Sequence, residues 1–137
     1  MTAQQVHHCA PGDGDELVSP DATITVKVGA RHTGGGYELF EVDAPRGPAV
    51  PPHREPWGKA FYVLHGRLLV QAGDQGYDPG PGASIAIPPR TVNTFTVLTP
   101  SARFLVVSTG GMGEFFADLD RGGPAVEVAA GHGVEVA

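Results

Sequence analysis

Three ionisable side chains stand close together near the middle of the chain: His53, Glu55 and Lys59. Imidazole, carboxylate and amine groups transfer protons when burial and neighbouring charge tune their pKa values. A histidine and a carboxylate also bind divalent metals, although a protonated lysine beside them opposes a cation. The three residues therefore support two hypotheses, proton transfer to a small organic substrate and a metal site.

The elements that must position these residues are strands. The 20 glycines and 13 prolines punctuate short apolar runs, which favours an all-β fold over long helices. Residues 23–28 alternate apolar and polar side chains, as a half-buried strand does. Residues 61–64 and 68–70 are predicted as two strands around a tight turn at His65-Gly66. In all, roughly eight strands are expected, the number that closes a small barrel. Short helices are predicted at 114–120 and 124–130.

The amino-acid composition and net charge argue against several classes of function. The net charge of −6 opposes binding to nucleic acid or anionic membranes, and no apolar run is long enough for a membrane helix. A single cysteine and an N-terminus unlike a signal peptide predict a cytoplasmic protein. We expect a flexible arm over residues 1–21 and one domain over 22–137. His7, His8 and Cys9 lie in that arm without a further ligand at a motif spacing, so no metal site is expected there.

Residues 47–66 resemble the first sequence motif of the cupin family. That motif runs glycine, five residues, His-x-His, three or four residues, Glu, six residues and glycine. Its glycines correspond to Gly47 and Gly66 and its first histidine to His53, while Glu55 stands at the second histidine and Lys59 at the glutamate.

The second cupin motif runs glycine, five residues, Pro-x-Gly, two residues, His and later Asn. Its places are taken by Gly82, Pro88, Arg90, Asn93 and Val97, so that Asn93 stands at the ligand histidine. Further segments are similar to the small quercetin dioxygenase-like cupins; they are Thr33-Gly34-Gly35, Pro51-Pro52-His53, Phe61 to Leu64 and Gly110 to Phe116.

The resemblance implies an all-β cupin barrel, a double-stranded β-helix or jelly roll, with short C-terminal helices. It also implies that two of the three first-motif metal ligands and the histidine of the second motif are replaced. Asn93 offers a weak amide oxygen at best, and Lys59 places a positive charge where the cation belongs. We therefore predict no metal and no other cofactor.

An unpaired ion inside a barrel costs several kcal/mol, so Glu55 and Lys59 are expected to pair with each other or with His53. Two interpretations of this group stay open. In one, it is a structural plug, or Glu55 and Lys59 point to solvent from a loop. In the other, His53, Glu55 and Lys59 are catalytic.

Strand alternation predicts the wall of a pocket for a small ligand. Phe61 and Val63 share a face with Lys59, and Phe95 and Val97 share one with Asn93. Such a lining suits an aromatic or polyketide-like molecule, and equally an ordinary barrel core. Trp57 either closes the mouth or packs, and Arg90 either meets an anionic group of the ligand or lies at the surface.

Three functions remain. The leading one is a metal-independent cupin that binds a small organic ligand and isomerises or cyclises it by acid–base chemistry. The second is a non-catalytic ligand-binding or scaffold cupin, and the third a metal-dependent dioxygenase like the quercetin dioxygenases. Residues 61–64 and 68–70 are apolar on both faces, and the outer face needs cover, so a homodimer is expected.

Overall fold

The computed structural model describes residues 5–47 and 49–137, so the first four residues of the predicted arm and Pro48 of the first motif lie outside the described part. The described residues form strands and two short helices, which confirms the all-β prediction. The strands are β1 (Asp15–Val18), β2 (Thr23–Val28), β3 (Glu38–Pro45), β4 (His53–Arg54), β5 (Lys59–His65), β6 (Leu68–Ala72), β7 (Gln75–Tyr77), β8 (Ser84–Ile87), β9 (Asn93–Val97), β10 (Ser101–Ser108) and β11 (Glu135–Val136). The helices are α1 (Met112–Asp120) and α2 (Ala125–Gly131), close to the predicted spans.

Two antiparallel sheets face each other as a jelly roll. One has the strand order β1-β2-β3-β10-β5-β8 and the other β11-β4-β9-β6-β7. The larger number of strands than expected comes from short pieces, such as β4 and β11, that pair over two residues each. The strand β1 lies inside the segment predicted as an arm and pairs with β2.

The two predicted strands at residues 61–64 and 68–70 are present within β5 and β6, but they do not pair with each other as the strands of a hairpin would. Strand β5 pairs with β10 and β8, whereas β6 pairs with β7 and β9, so the turn at Gly66 carries the chain from one sheet to the other. Gly66 has φ +79°, and a Cβ atom there would lie 2.4 Å from the carbonyl oxygen of Ser101. The turn therefore needs glycine, but for a crossing between sheets rather than for a hairpin.

The core lies between the two sheets and is apolar along most of its length. Its largest fully buried hydrophobic side chains are Phe40, Phe104, Ile24, Leu68, Val63 and Val70. At one end the strands place polar residues instead: His53 pairs with Asn93 across β4 and β9, and Ser108 pairs with both Lys59 and Glu38. Among the described residues, neither helix is long and apolar enough to span a membrane.

Candidate functional site

The polar end of the barrel is organised around the carboxylate of Glu55, which is 6% exposed. Its Oε1 atom accepts hydrogen bonds from Lys59 Nζ at 2.6 Å and from Asn93 Nδ2 at 3.1 Å, and lies 3.3 Å from His53 Nε2. Its Oε2 atom accepts a hydrogen bond from Trp57 Nε1 at 2.8 Å. We call these five residues the Glu55 cluster. Four donor groups thus converge on one buried anion.

Three strands, β4, β5 and β9, bring the cluster together. His53 lies on β4, Glu55 follows that strand directly, Lys59 begins β5 and Asn93 begins β9. Side chains two positions apart in a strand lie on the same face of the sheet. Lys59 and Asn93 therefore point into the barrel, like the residues two positions after them. The backbone N–H of Arg90 donates to the carbonyl oxygen of Glu55 at 2.8 Å, which ties the corner before β9 to this segment.

The pKa of Glu55 is lowered from 4.5 to about 2. Burial raises it, but the hydrogen bond from His53 and the charge and hydrogen bond of Lys59 together outweigh burial. The carboxylate is therefore ionised at neutral pH and its lone pairs are engaged. Such a group is a weak base, so its chemical role is to hold the donors around it.

The Lys59 side chain is 7% exposed, which excludes the interpretation that Glu55 and Lys59 point to solvent from a loop. Besides its 2.6 Å contact with Glu55, the ammonium group lies over the Phe61 ring, 5.3 Å from the ring centre. The predicted pairing of Glu55 with Lys59 is confirmed.

His53 has both ring nitrogens next to acceptors. Nδ1 lies 2.8 Å from the carbonyl oxygen of Pro51, and Nε2 lies 3.3 Å from the ionised Glu55 carboxylate. A carbonyl oxygen and a carboxylate accept hydrogen bonds and donate none, so the ring donates from whichever nitrogen carries a proton. The ion pair of the Glu55 cluster is that of Lys59 with Glu55, and His53 is a further donor beside it.

The Asn93 amide is oriented by three acceptors around its nitrogen. Nδ2 donates to Glu55 Oε1, to the carbonyl oxygen of Thr91 at 2.9 Å and to that of His53 at 3.4 Å. Three oxygens around one end of the amide assign that end as the NH₂ group. The amide oxygen is therefore turned away from Glu55.

The residues predicted to line a pocket are brought together in the barrel, beside the cluster rather than within it. Phe61 contacts Phe95 and Phe104, with ring centres 6.2 Å and 5.2 Å apart, and Val63 is fully buried. A cavity of about 270 Å³ is lined by Phe95 and Val97 among others, and none of the cluster residues lines it. Its lining residues are Pro20, Asp21, Pro45, Arg46, Gly47, Val50, Phe95 and Val97.

Trp57 and Arg90 differ in their surroundings. Trp57 is 6% exposed and packs on Phe115 of α1, with ring centres 5.9 Å apart. It is thus a packed residue whose indole N–H also binds Glu55, a role that sequence analysis missed although Trp57 follows Glu55 by two residues. Arg90 is exposed at the corner between β8 and β9.

Sequence analysis also missed Glu38, whose carboxylate side chain is 2% exposed. Glu38 and Lys59 both pair with Ser108, one from each side of β10. Burial raises the pKa of Glu38, while backbone N–H groups at the start of α1, Gly113 among them at 3.0 Å, oppose that rise. The signal was present, since Glu38 shares the inward parity of Phe40 and Val42. Glu38 fastens α1 to the barrel end that holds the cluster.

Histidines elsewhere form no comparable site. The rings of His7 and His32 stack with centres 3.5 Å apart, so the lone pairs of the parallel rings do not converge on one point. His132 Nε2 lies 2.6 Å from Asp118 Oδ2 and links α2 to α1. Across residues 5–47 and 49–137, no group of three or more His, Cys, Asp or Glu side chains is arranged to hold a metal ion.

Comparison with known proteins identifies the family. Residues 39–108 match the family model described as the cupin domain. The structure of KdgF from Halomonas sp. superimposes with a TM-score of 0.67 at 18% identity, covering 77% of this chain and 94% of that one. The polyketide cyclase RemF from Streptomyces resistomycificus gives 0.59 at 27% identity, covering 78% and 79%. A cupin-like protein from Thermotoga maritima gives 0.60 at 16% identity, covering 96% and 86%. No curated protein matches the chain significantly.

Proposed function

Because the chain belongs to the cupin family, we propose that it is a metal-independent cupin that binds a small aromatic or polyketide-like molecule and isomerises or cyclises it by acid–base chemistry. The observation that carries this proposal is the convergence of four N–H donors on the buried Glu55 carboxylate. This arrangement holds the Lys59 ammonium group and the His53 ring in fixed positions inside an apolar barrel.

The donor set does not fit a divalent metal. A metal site needs lone pairs that converge on one point. Here Lys59 Nζ lies 2.6 Å from Glu55 Oε1, the Asn93 NH₂ group faces the same oxygen, and His53 Nε2 lies 3.3 Å from it. Donors thus take the places from which ligands would act, and a cation beside Lys59 would be repelled.

The three proposed catalytic residues have different roles. His53, whose side chain is 21% exposed, is the proton donor that a substrate oxygen can reach. Lys59 supplies a fixed positive charge that stabilises negative charge developing on that oxygen. Glu55 is a positioning residue, because its low pKa and its engaged lone pairs suit it to orient Lys59 and His53 rather than to accept a proton. In the enolisation of a ketone, protonated His53 gives a proton to the substrate oxygen while a water molecule removes the α-proton, and the resulting hydronium ion returns a proton to His53, so that the proton count balances.

The likeness to RemF supports the choice of a cyclase. RemF is a polyketide cyclase, and its identity of 27% spans 78% of this chain. Phe95, which lines the cavity, offers an aromatic contact to a flat substrate, and its ring is held in place by Phe61 and Phe104.

The cavity favours a second candidate function, a cupin that binds a ligand without turnover. Its lining includes Phe95 but none of the Glu55 cluster, whose carboxylate accepts hydrogen bonds at both oxygens. In that case the cluster is a structural plug and the ligand occupies the cavity between Phe95, Val97 and Arg46.

Proton exchange distinguishes these functions. The probe is a naphthyl-substituted β-diketone in heavy water, with exchange of its α-protons followed by NMR after treatment of the protein with a chelator. We expect exchange that survives chelation and falls at least tenfold in His53→Gln and Lys59→Met, since general acid catalysis contributes roughly 10²–10⁴-fold. The matched control is His65→Gln, an exposed histidine at the other end of β5. Binding without exchange would favour the second function, and exchange abolished by the chelator would favour the dioxygenase-like alternative.

The outer face of the β5–β10 region supports the expected homodimer. Tyr62, Leu64 and Val107 lie on one face and are 47%, 44% and 44% exposed. Covering them with a second copy would remove this apolar patch from water. Sedimentation of the wild-type protein and of Tyr62→Lys tests this, and a monomeric wild type would refute it. The cytoplasmic location stays a prediction.

A further inference from the structure

His53 lies on a strand with few partners. Strand β4 consists of His53 and Arg54 alone, and its pairing with β9 is a single residue pair, His53 with Asn93. On the other side, β11 pairs with both residues of β4, and Val136 lies opposite His53. The larger part of the main-chain pairing of β4 therefore comes from β11, an edge strand of this sheet.

The hydrogen bonds between β11 and β4 flank His53. The Ala137 N–H donates to the carbonyl oxygen of Pro52 at 2.8 Å. In an antiparallel ladder, hydrogen-bonded and non-hydrogen-bonded pairs alternate, so Val136 and His53 form a non-hydrogen-bonded pair and the Glu135 N–H is again directed at β4. β11 therefore holds the backbone on both sides of His53.

The ring of His53 is aimed by the same short segment. Nδ1 lies 2.8 Å from the carbonyl oxygen of Pro51, the neighbour of Pro52, and Nε2 lies 3.3 Å from Glu55 Oε1. Lys59 holds the Glu55 carboxylate from β5. A displacement of β4 would therefore carry the ring away from a carboxylate that stays in place.

β11 adds little to the core. Residues 135–137 are exposed, whereas Val134 just before them is 5% exposed and anchors the strand. The main-chain contacts of residues 135–137 lie with the segment that carries His53. These contacts indicate a role in placing that segment rather than in burying apolar surface.

We propose that β11 is a positioning strand for His53, whose ring it directs at Glu55 and at the substrate oxygen through the N–H groups of Glu135 and Ala137. The effect on catalysis rests on the proposed function, since His53 is the proton donor there. The placement of the ring is independent of that function and is measured separately.

The test variant is Glu135→Pro/Ala137→Pro, which removes both N–H groups. The matched control is Ala125→Pro/Glu127→Pro, the same two substitutions at the same spacing in the first turn of α2, where proline is tolerated. NMR follows the ring signals of His53, identified by their absence in His53→Gln. We expect these signals to shift and broaden in the test variant and to keep their wild-type positions in the control.

Proton exchange of the β-diketone probe gives the second readout. In the test variant kcat should fall about tenfold with KM unchanged, because misplacing a reacting group by about 1 Å can cost about 10²-fold. The control should keep both values. If the test variant does not fold, as judged by circular dichroism, Ala137→Pro alone takes its place, since it removes only the N–H bound to Pro52.

The outcomes separate the two proposals. Ring signals of His53 that stay at their wild-type positions in the folded test variant would overturn the positioning role, whatever the activity. Ring signals that move while the wild type catalyses no exchange would refute the proposed function and support the placement of His53 by β11. Equal shifts in the test variant and the control would show a general response to proline and would also overturn the inference.

Discussion

The buried carboxylate of Glu55 should make the stability of the protein depend on acid pH in a specific way. A folded-state pKa of about 2 against 4.5 for a free carboxyl group corresponds to about 3 kcal/mol of stabilisation at neutral pH. Because the folded pKa is lowered, this stabilisation is complete above pH 4.5 and is lost as the pH falls toward 2. Glu55→Gln removes the titrating group and leaves Lys59 without its counter-ion.

We therefore expect Glu55→Gln to be less stable than the wild type by about 3 kcal/mol at pH 7, with a difference that shrinks steadily below pH 4.5. The assay is urea unfolding at a series of pH values, followed by the fluorescence of Trp57, the single tryptophan. Trp57 donates to Glu55, so each variant needs its own folded and unfolded baselines. Glu127→Gln, an exposed carboxyl group on α2, controls for the loss of one negative charge.

A difference between wild type and Glu55→Gln that stays constant from pH 7 down to 2 would refute the argument, because it would show that the Glu55 carboxylate is not specifically stabilised. A double-mutant cycle separates the pair from its parts. Lys59→Met alone should cost about 3–5 kcal/mol, as removal of one partner of a buried pair does, whereas adding Glu55→Gln should recover part of that cost.

Two further predictions concern the fold that supports the cluster. Gly66→Ala should destabilise the protein by more than about 2 kcal/mol, because φ is +79° and the new Cβ would lie 2.4 Å from a carbonyl oxygen; Gly82→Ala, with φ +85° and open space, should cost about 1 kcal/mol in the same urea assay. Burial raises the pKa of Glu38, so the folded protein binds this proton more tightly than the unfolded chain does. The ionised carboxylate therefore destabilises the fold, and the free energy of unfolding falls as the pH rises above 4.5. Glu38→Gln should therefore become more stable relative to the wild type between mildly acidic and neutral pH, and an unchanged difference across that range would contradict the burial argument.

The pairing of Glu55 with Lys59 was predictable from sequence, because a buried carboxylate and a buried amine in an apolar barrel are each costly unless they form an ion pair. The same holds for the shared faces of Phe61 with Lys59 and of Phe95 with Asn93, which follow from the two-residue period of a strand. The turn at Gly66 was misassigned for an equally physical reason. A glycine turn between two apolar runs looks alike in the sequence whether the runs then pair or separate into two sheets.

Other features depend on contacts between distant parts of the chain. The cavity is lined by Pro20 and Asp21 from before β2, by Pro45 at the end of β3 with Arg46 after it, and by Phe95 on β9. No local sequence pattern connects these segments. The orientation of the His53 ring likewise depends on the carbonyl oxygen of Pro51 as well as on Glu55. The sequence identifies the residues of the cluster, whereas the direction of each hydrogen bond follows only from the three-dimensional structure.

The Glu55 cluster directs hydrogen-bond donors at an anion, where a metal site directs lone pairs at a cation. This difference predicts which substitutions would create a metal site. In a cupin metal site lone pairs converge on a cation, whereas here N–H groups converge on the anion Glu55. Lys59→Glu alone places a second carboxylate beside Glu55 while the Asn93 amide still presents its nitrogen, so we expect no tight binding of nickel or zinc. The combined variant Glu55→His/Lys59→Glu/Asn93→His supplies three ligands to join His53, and calorimetry should detect one metal per chain. A combined variant that folds, as judged by circular dichroism, yet binds no more metal than Lys59→Glu alone would show that these four positions do not converge on a common point in this barrel.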